Sequence, residues 1–200
     1  MWALVESGSI TKLYARPKSL TIGDVQYPRN IFNLWTSSQL ESLGIYKVVI
    51  DNTNLKDDAY YNNTNQTFAF ADGTATASYE TATARPLDNV LFTAQNETDG
   101  LGTEGEVKKS GIRQRYIDTI NLQAAGNLQA TDWLVIRAAE GGTAVPSATT
   151  TWRAAVRTKA NAMCTAIGNA ANVDALAALY VYNDATPPVR PLGEFPVLGA

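Results

Sequence analysis

Residues 131–157 read TDWLVIRAAEGGTAVPSATTTWRAAVR, and this stretch decides how the second half of the chain is built. Gly141-Gly142 is a helix stop, since glycine takes the left-handed backbone that closes a helix without steric cost. Pro146 and Ser147 open a new helix, with Ser147 or Thr149 as its cap. The stretch therefore reads as the end of one helix, a tight connection and the start of another. Its apolar positions include Trp133 and Trp152, and its polar positions include Arg137, Arg153 and Arg157. The tryptophans read as core of a helical hairpin or as contacts to a partner. The arginines, with Arg153 and Arg157 one turn apart, read either as a solvated rim paired with acidic neighbours or as an edge on which another protein docks, since Trp and Arg are enriched in interface hot spots.

Working upstream, Ile112, Tyr116, Ile120 and Ala124 lie four apart, with Ile117 and Leu128 beside them. That spacing predicts one long helix from about residue 104 to 140, with Gly126 the place where it bends or breaks. Downstream, Trp152, Val156, Ala160, Met163 and Ile167 share a helical face, with Cys164 next to it as a small buried hydrophobe. Gly168-Asn169 stops that helix, and Asn172 caps a short third one bearing Val173, Leu176, Leu179 and Tyr180. The last segment, residues 183–200, holds four prolines and is expected to be extended, with Phe195, Val197 and Leu198 packing on the body or on a partner.

The first half has a different texture. Ser7-Gly8 sits between apolar arms, Met1 to Val5 and Ile10 to Tyr14, and Asp72-Gly73 sits between Gln66 to Phe70 and a Thr/Ala-rich return arm. Both are hairpin signals. Ile45 to Ile50 is a β-branched strand preceded by a helical turn capped at Ser37 or Ser38, which Gly44 closes in a left-handed conformation. Residues 21–35, interrupted by Pro28, read as irregular, and Asn89 to Gln95 reads as a short strand. The fold class is α+β: a small antiparallel β-rich domain over residues 1–103, a helical region over 104–182 and the proline-rich tail over 183–200.

Composition excludes several kinds of chemistry. The 200 residues contain no histidine and one cysteine, so neither a Ser-His-Asp nor a Cys-His mechanism can be assembled, and a four-thiolate zinc site is impossible. A net charge of −3 argues against nucleic acid as a partner. No stretch reaches the roughly 20 apolar residues that span a bilayer, and MWALVESGS has no basic, apolar leader pattern, so a soluble protein made in a cytoplasm is expected. The Asn-x-Ser/Thr tripeptides at Asn62, Asn65 and Asn96 read as polar loop chemistry. Asp57-Asp58 and Asp99 with Glu104 fall in loops, without the frame across a cleft that a glycan hydrolase needs. Residues 100–105, GLGTEG, match a phosphate-binding glycine pattern, but no strand-turn-helix unit surrounds them, so they read as a glycine linker. Neither a cofactor nor a metal is expected.

The order of pieces has a precedent. MWALVESGSI opens the chain, Tyr27-Pro28-Arg29 follows, then SLGIYKV at Ser42 to Val48, then Thr131-Asp132-Trp133 with Arg137, Val145-Pro146, and WRAAVR at Trp152 to Arg157. In this order the chain resembles the tail-fibre assembly and tail-fibre-associated proteins of tailed bacteriophages. The resemblance implies a protein without catalysis that binds other tail or fibre polypeptides in an oligomeric assembly, located in the tail of the virion. Trp133, Arg137, Trp152, Arg153, Arg157 and Phe195 would be its partner-binding residues. The β-rich first half departs from a transient chaperone and suits a permanent part of the particle. A capsid-decorating or connector protein without chaperone activity is the alternative.

Overall fold

In a computed structural model, which describes residues 1–199, the chain is α+β and divides into two units, the first Met1–Thr83 and the second beginning at Ala84. The first unit contains β1 (Trp2–Glu6), β2 (Ser9–Tyr14), β3 (Leu20–Ile22), β4 (Val25–Tyr27), α1 (Ile31–Leu34), α2 (Ser37–Glu41), β5 (Ile45–Asp51), β6 (Tyr61–Asn62), β7 (Thr67–Ala71) and β8 (Thr74–Ser78), ending at β9 (Thr83–Ala84). Five of these strands form a sheet in the order β2-β1-β5-β8-β7. Both expected hairpins form, with positive φ at Ser7, Gly8, Asp72 and Gly73, as two-residue turns of this twist require.

The sheet is not wholly antiparallel, because β8 runs parallel to β5 (Val48 opposite Ala75, Ile50 opposite Ala77). A parallel neighbour needs a long crossover, and residues 52–73 supply it. The Thr/Ala-rich arm thus becomes a central strand, with Ala75 and Ala77 fully buried. Small residues there let the sheet curl until its edges, β2 and β7, approach each other. The concave side packs Ala3, Val48, Ala75 and Ala77 against Ile10, Tyr46, Phe68 and Phe70. On the other side Leu4, Tyr14 and Ile45 pack with Leu20, Ile31, Phe32 and Leu40 from the β3–β4 hairpin and the two short helices. Residues 20–27, expected to be irregular, form that hairpin because Gly23-Asp24 turns the chain before Pro28 is reached. The cap of α2 is Thr36, in a reciprocal box with Gln39, and not Ser37 or Ser38. Gly44 does close this segment at φ +76°, and a β-carbon there would lie 2.5 Å from the Val5 carbonyl oxygen.

The second unit contains β10 (Val90–Leu91), α3 (Ala94–Thr98), β11 (Val107–Lys109), α4 (Ile112–Gln129), α5 (Asp132–Ala139), α6 (Ser147–Gly168) and α7 (Val173–Ala178). The division at 83/84 lies well before the expected boundary at 103/104. Residues 86–111 are fastened to the start of α4: Ile112 N–H donates to the Pro86 carbonyl (3.0 Å), Arg113 N–H to that of Leu87 (3.1 Å), and Gly111 N–H to Asn89 Oδ1 (2.9 Å). Arg113 also pairs with Asp88. The expected strand at Asn89 to Gln95 is cut to two residues because Thr93 caps α3 in a box with Asn96.

Helices α4 and α6 lie antiparallel: Arg113 reaches the Ala170 carbonyl at one end (2.8 Å), and Arg153 the Leu128 carbonyl at the other (2.8 Å). The two expected stripes face inward. Ile112, Ile120 and Ala124 are buried on α4, and Val156, Ala160, Met163 and Ile167 on α6. The long helix continues through Gly126 and breaks at Ala130-Thr131 instead. Neither Ser147 nor Thr149 caps α6; its N-cap position is Pro146, and Thr149 is buried. Asn172 caps α7, accepting from Ala175 N–H at 2.8 Å. Among the described residues of the tail, 183–199, there is no helix or strand, yet the segment folds back: Leu192 is buried, its N–H donates to the Leu179 carbonyl (3.0 Å), and its carbonyl accepts from Lys159 Nζ (2.8 Å).

Candidate functional site

At the break before α5 the Leu128 carbonyl accepts from the Thr131 N–H (3.0 Å) and the Thr131 hydroxyl (2.9 Å). Arg153 Nη1 donates to that carbonyl (2.8 Å) and to Thr131 Oγ1 (2.6 Å), and its Nη2 donates to Asp132 Oδ1 (2.7 Å). With its side chain only 12% exposed, Arg153 holds the corner from inside. It was expected at a docking edge; the structure engages all these donors within the fold.

Beyond that corner α5 carries Trp133, Leu134, Val135 and Ile136 in succession, and four consecutive apolar residues cannot share one helical face. No residue of α5 is buried. Trp133 is 56% exposed, which removes its core reading, and Ile136 is 58% exposed. The guanidinium of Arg137 stacks on the Trp133 ring at 4.8 Å, a cation–π contact that stiffens the pair. Arg157, one turn beyond Arg153 on α6, is exposed. Val135, Val145, Thr150, Arg153 and Arg157 line a groove of about 280 Å³. Neither Arg137 nor Arg157 forms an ion pair among the described residues. The groove thus offers apolar side chains from Val135 and Val145 beside the Arg157 guanidinium, which suits a partner segment that combines an apolar side chain with a carboxylate.

Trp152 stands apart from that groove. It is half-buried, and its indole N–H donates to the Pro196 carbonyl (2.9 Å), so it fastens the tail to α6. Phe195 is half-buried in the same returning segment, while Val197 remains 72% exposed. The structure thus brings Arg153 and Arg157 together at the groove and joins Trp133 to Arg137 on α5. It assigns Trp152 and Phe195 to the tail.

A second cluster escaped the sequence reading. Arg190 lies over the rings of Tyr180 (5.5 Å) and Tyr182 (5.3 Å) and pairs with Glu194, which also accepts from the Tyr182 hydroxyl (2.6 Å). That hydroxyl and then Arg190 hold the Glu194 carboxyl below the usual carboxylate range. Tyr180 packs against Tyr116 with the rings tilted at 49° and 4.8 Å apart, and burial pushes its hydroxyl up to about 12. The only signal was a Tyr-x-Tyr pair ahead of a proline-rich run containing an arginine, which is not specific.

Three of the carboxylates considered for catalysis are engaged locally: Asp57 accepts from Ala59 N–H (2.8 Å), Asp58 from Asn63 Nδ2 (2.6 Å) and Asp99 from Gln95 Nε2 (2.7 Å). Glu104 is joined to the loop by its backbone N–H, which donates to the Glu97 carboxylate (3.4 Å). Among the described residues no group of three or more His, Cys, Asp or Glu is placed to hold a metal ion, and no helix is long and apolar enough to cross a membrane. Residues 100–105 are not a slack linker. Gly102, at φ +158°, lies so close to Phe92 that a β-carbon would meet the ring at 2.6 Å, and Gly105 N–H donates to the Phe92 carbonyl (3.0 Å). Comparison with known protein families, curated proteins and solved structures returned no match to the chain.

Proposed function

We propose that this chain is a structural or assembly protein of a bacteriophage tail or tail fibre, which binds other virion proteins and performs no chemistry on them. The observation that carries the binding role is α5, an eight-residue helix rich in large apolar side chains and without one buried residue. Apolar surface left in water is unfavourable at about 25 cal/mol per Å², and exposed patches of this kind mark interaction sites. The tail or fibre itself rests on the resemblance carried by MWALVESGSI and by the run from Thr131 to Arg157. With a net charge of −3, a phosphate backbone is the less favoured partner.

A mass-spectrometric census of purified particles, with copy number, tests this reading. A fixed ratio to the fibre or tail protein supports a structural subunit. Absence from particles with co-purification on newly made fibre supports an assembly factor. Location on the capsid shell or its connector replaces the tail assignment, and absence from both particles and fibre overturns the proposal.

A further inference from the structure

The outer side of the β1–β5 pair, in the first unit, carries a cleft of its own. Trp2 stands opposite Lys47 in the register of these strands and Leu4 opposite Ile45, so the four side chains share one face of the sheet. Leu4 and Ile45 are buried there in one cluster with Leu40 of α2. The Thr36–Gln39 box fixes the start of α2, and Ser37, Leu40 and Glu41, spaced i, i+3 and i+4, lie on one side of it. With Leu40 anchored in the cluster, Ser37 and Glu41 are carried to the edge of the cleft. Phe32 belongs to α1, and Trp35 closes that helix. Trp2 meets Phe32 edge-to-face at 5.0 Å, and Tyr27 meets Trp35 in the same way at 5.9 Å, so both indoles are held before any ligand arrives. The result is a cleft of about 190 Å³ with a sheltered aromatic wall, Trp2, Phe32 and Trp35, and an exposed polar rim, Ser37, Glu41 and Lys47.

Three properties narrow the occupant. The cleft has room for about six waters, less than the about 300 Å³ at which drug-sized pockets begin, so it takes a single ring and not an extended chain. Its rim carries one cation, one anion and one hydroxyl, so no net charge selects a phosphate or a metal ion. Among the described residues the side chains of Ser37, Glu41 and Lys47 form no hydrogen bond or ion pair, and neither the Trp2 nor the Trp35 indole N–H has an acceptor. A carboxylate that accepts, an ammonium that donates and a hydroxyl that does both are therefore left unspent. A ligand that uses all of this has a C–H face for the aromatic wall and hydroxyls around its edge for the rim. We propose that the cleft binds one pyranose ring of a neutral saccharide, its C–H face on Trp2 and Trp35 and its hydroxyls on Glu41 and Lys47. Slightly positive C–H groups meet the negative face of an indole, and hydroxyls bonded to ionised groups form the stronger, charge-assisted bonds. A zwitterionic amino acid answers the two charges alone and is the competing occupant. The site belongs to the first unit and does not depend on the structural role proposed above.

The test titrates the full chain with the methyl glycosides of glucose, galactose, mannose and N-acetylglucosamine, and separately with leucine, followed by saturation-transfer NMR on the ligand and by indole fluorescence. At least one glycoside is expected to saturate with a Kd on the order of 1 mM, since a single ring offsets little beyond its own lost freedom. Saturation transfer should be strongest at its ring C–H protons. Glu41→Ala and Lys47→Met, both at exposed positions outside the core, should each weaken binding by about tenfold or more with an unchanged circular dichroism spectrum. Trp35→Ala should abolish it, and the two rim variants keep the test readable if that substitution disturbs the fold. No binding of any glycoside, saturation by leucine alone, or glycoside binding unchanged by both rim substitutions would overturn the proposal.

Discussion

Arg153 shows how one side chain sets the geometry of the helical unit. Its bonds to Leu128, Thr131 and Asp132 are charge-assisted, and they fasten α6 to the helix break, where Thr131 already bonds the Leu128 carbonyl. Hydrogen bonds to charged groups contribute about 1.5–3 kcal/mol each before coupling between them is counted. Arg153→Ala should therefore lower stability by about 2–3 kcal/mol in urea unfolding, and Arg153→Lys should recover only part of it, since an ammonium cannot bridge the same forked set. The two tryptophans of the corner should respond in opposite ways. Trp152→Ala removes a half-buried ring and its bond to Pro196 and should cost about 2–3 kcal/mol, somewhat less than the about 3–5 kcal/mol of a full core aromatic. Trp133→Ala should change stability by no more than about 0.5 kcal/mol, while weakening association. Equal melting shifts for the two would mean that Trp133 has a core role after all.

At the scale of elements, the tail latch has a pH dependence with a definite sign. Glu194 has a depressed folded pKa, so the stabilisation from Tyr182 and Arg190 is present above the ordinary carboxylate range and lost as pH falls through the lower, folded value. Urea midpoints from about pH 7 down to about pH 3 should fall more for the wild type than for Glu194→Gln, and identical profiles would show that the latch does not hold the tail. The elements legible in the sequence were those set by neighbours along the chain. The turns at Ser7-Gly8 and Asp72-Gly73, the Gly44 closure, the Asn172 cap and the α6 stripe from Trp152 to Ile167 all depend on residues within a few positions. What was not legible depends on distant partners. The parallel seat of β8 on β5 follows from packing of Ala75 and Ala77 across the sheet. The break at Thr131 is held by Arg153, 22 positions away, where the glycine signal pointed to Gly126. The exposure of Trp133 could have been suspected from four apolar residues in a row on a short helix, but periodicity alone assigns large aromatics to the core.

At the scale of the whole molecule, the central claim is that the α5 edge is covered when the protein is at work. The chain offers its own controls, because Trp2, Trp35 and Trp152 are half-buried while Trp133 is exposed. Hydroxyl-radical footprinting, read by mass spectrometry at each tryptophan, should be run on the dilute chain and on purified particles. The account predicts that Trp133 is oxidised fastest in the dilute chain and becomes the most strongly protected of the four on assembly. Unchanged oxidation of Trp133 in the assembled state would contradict it.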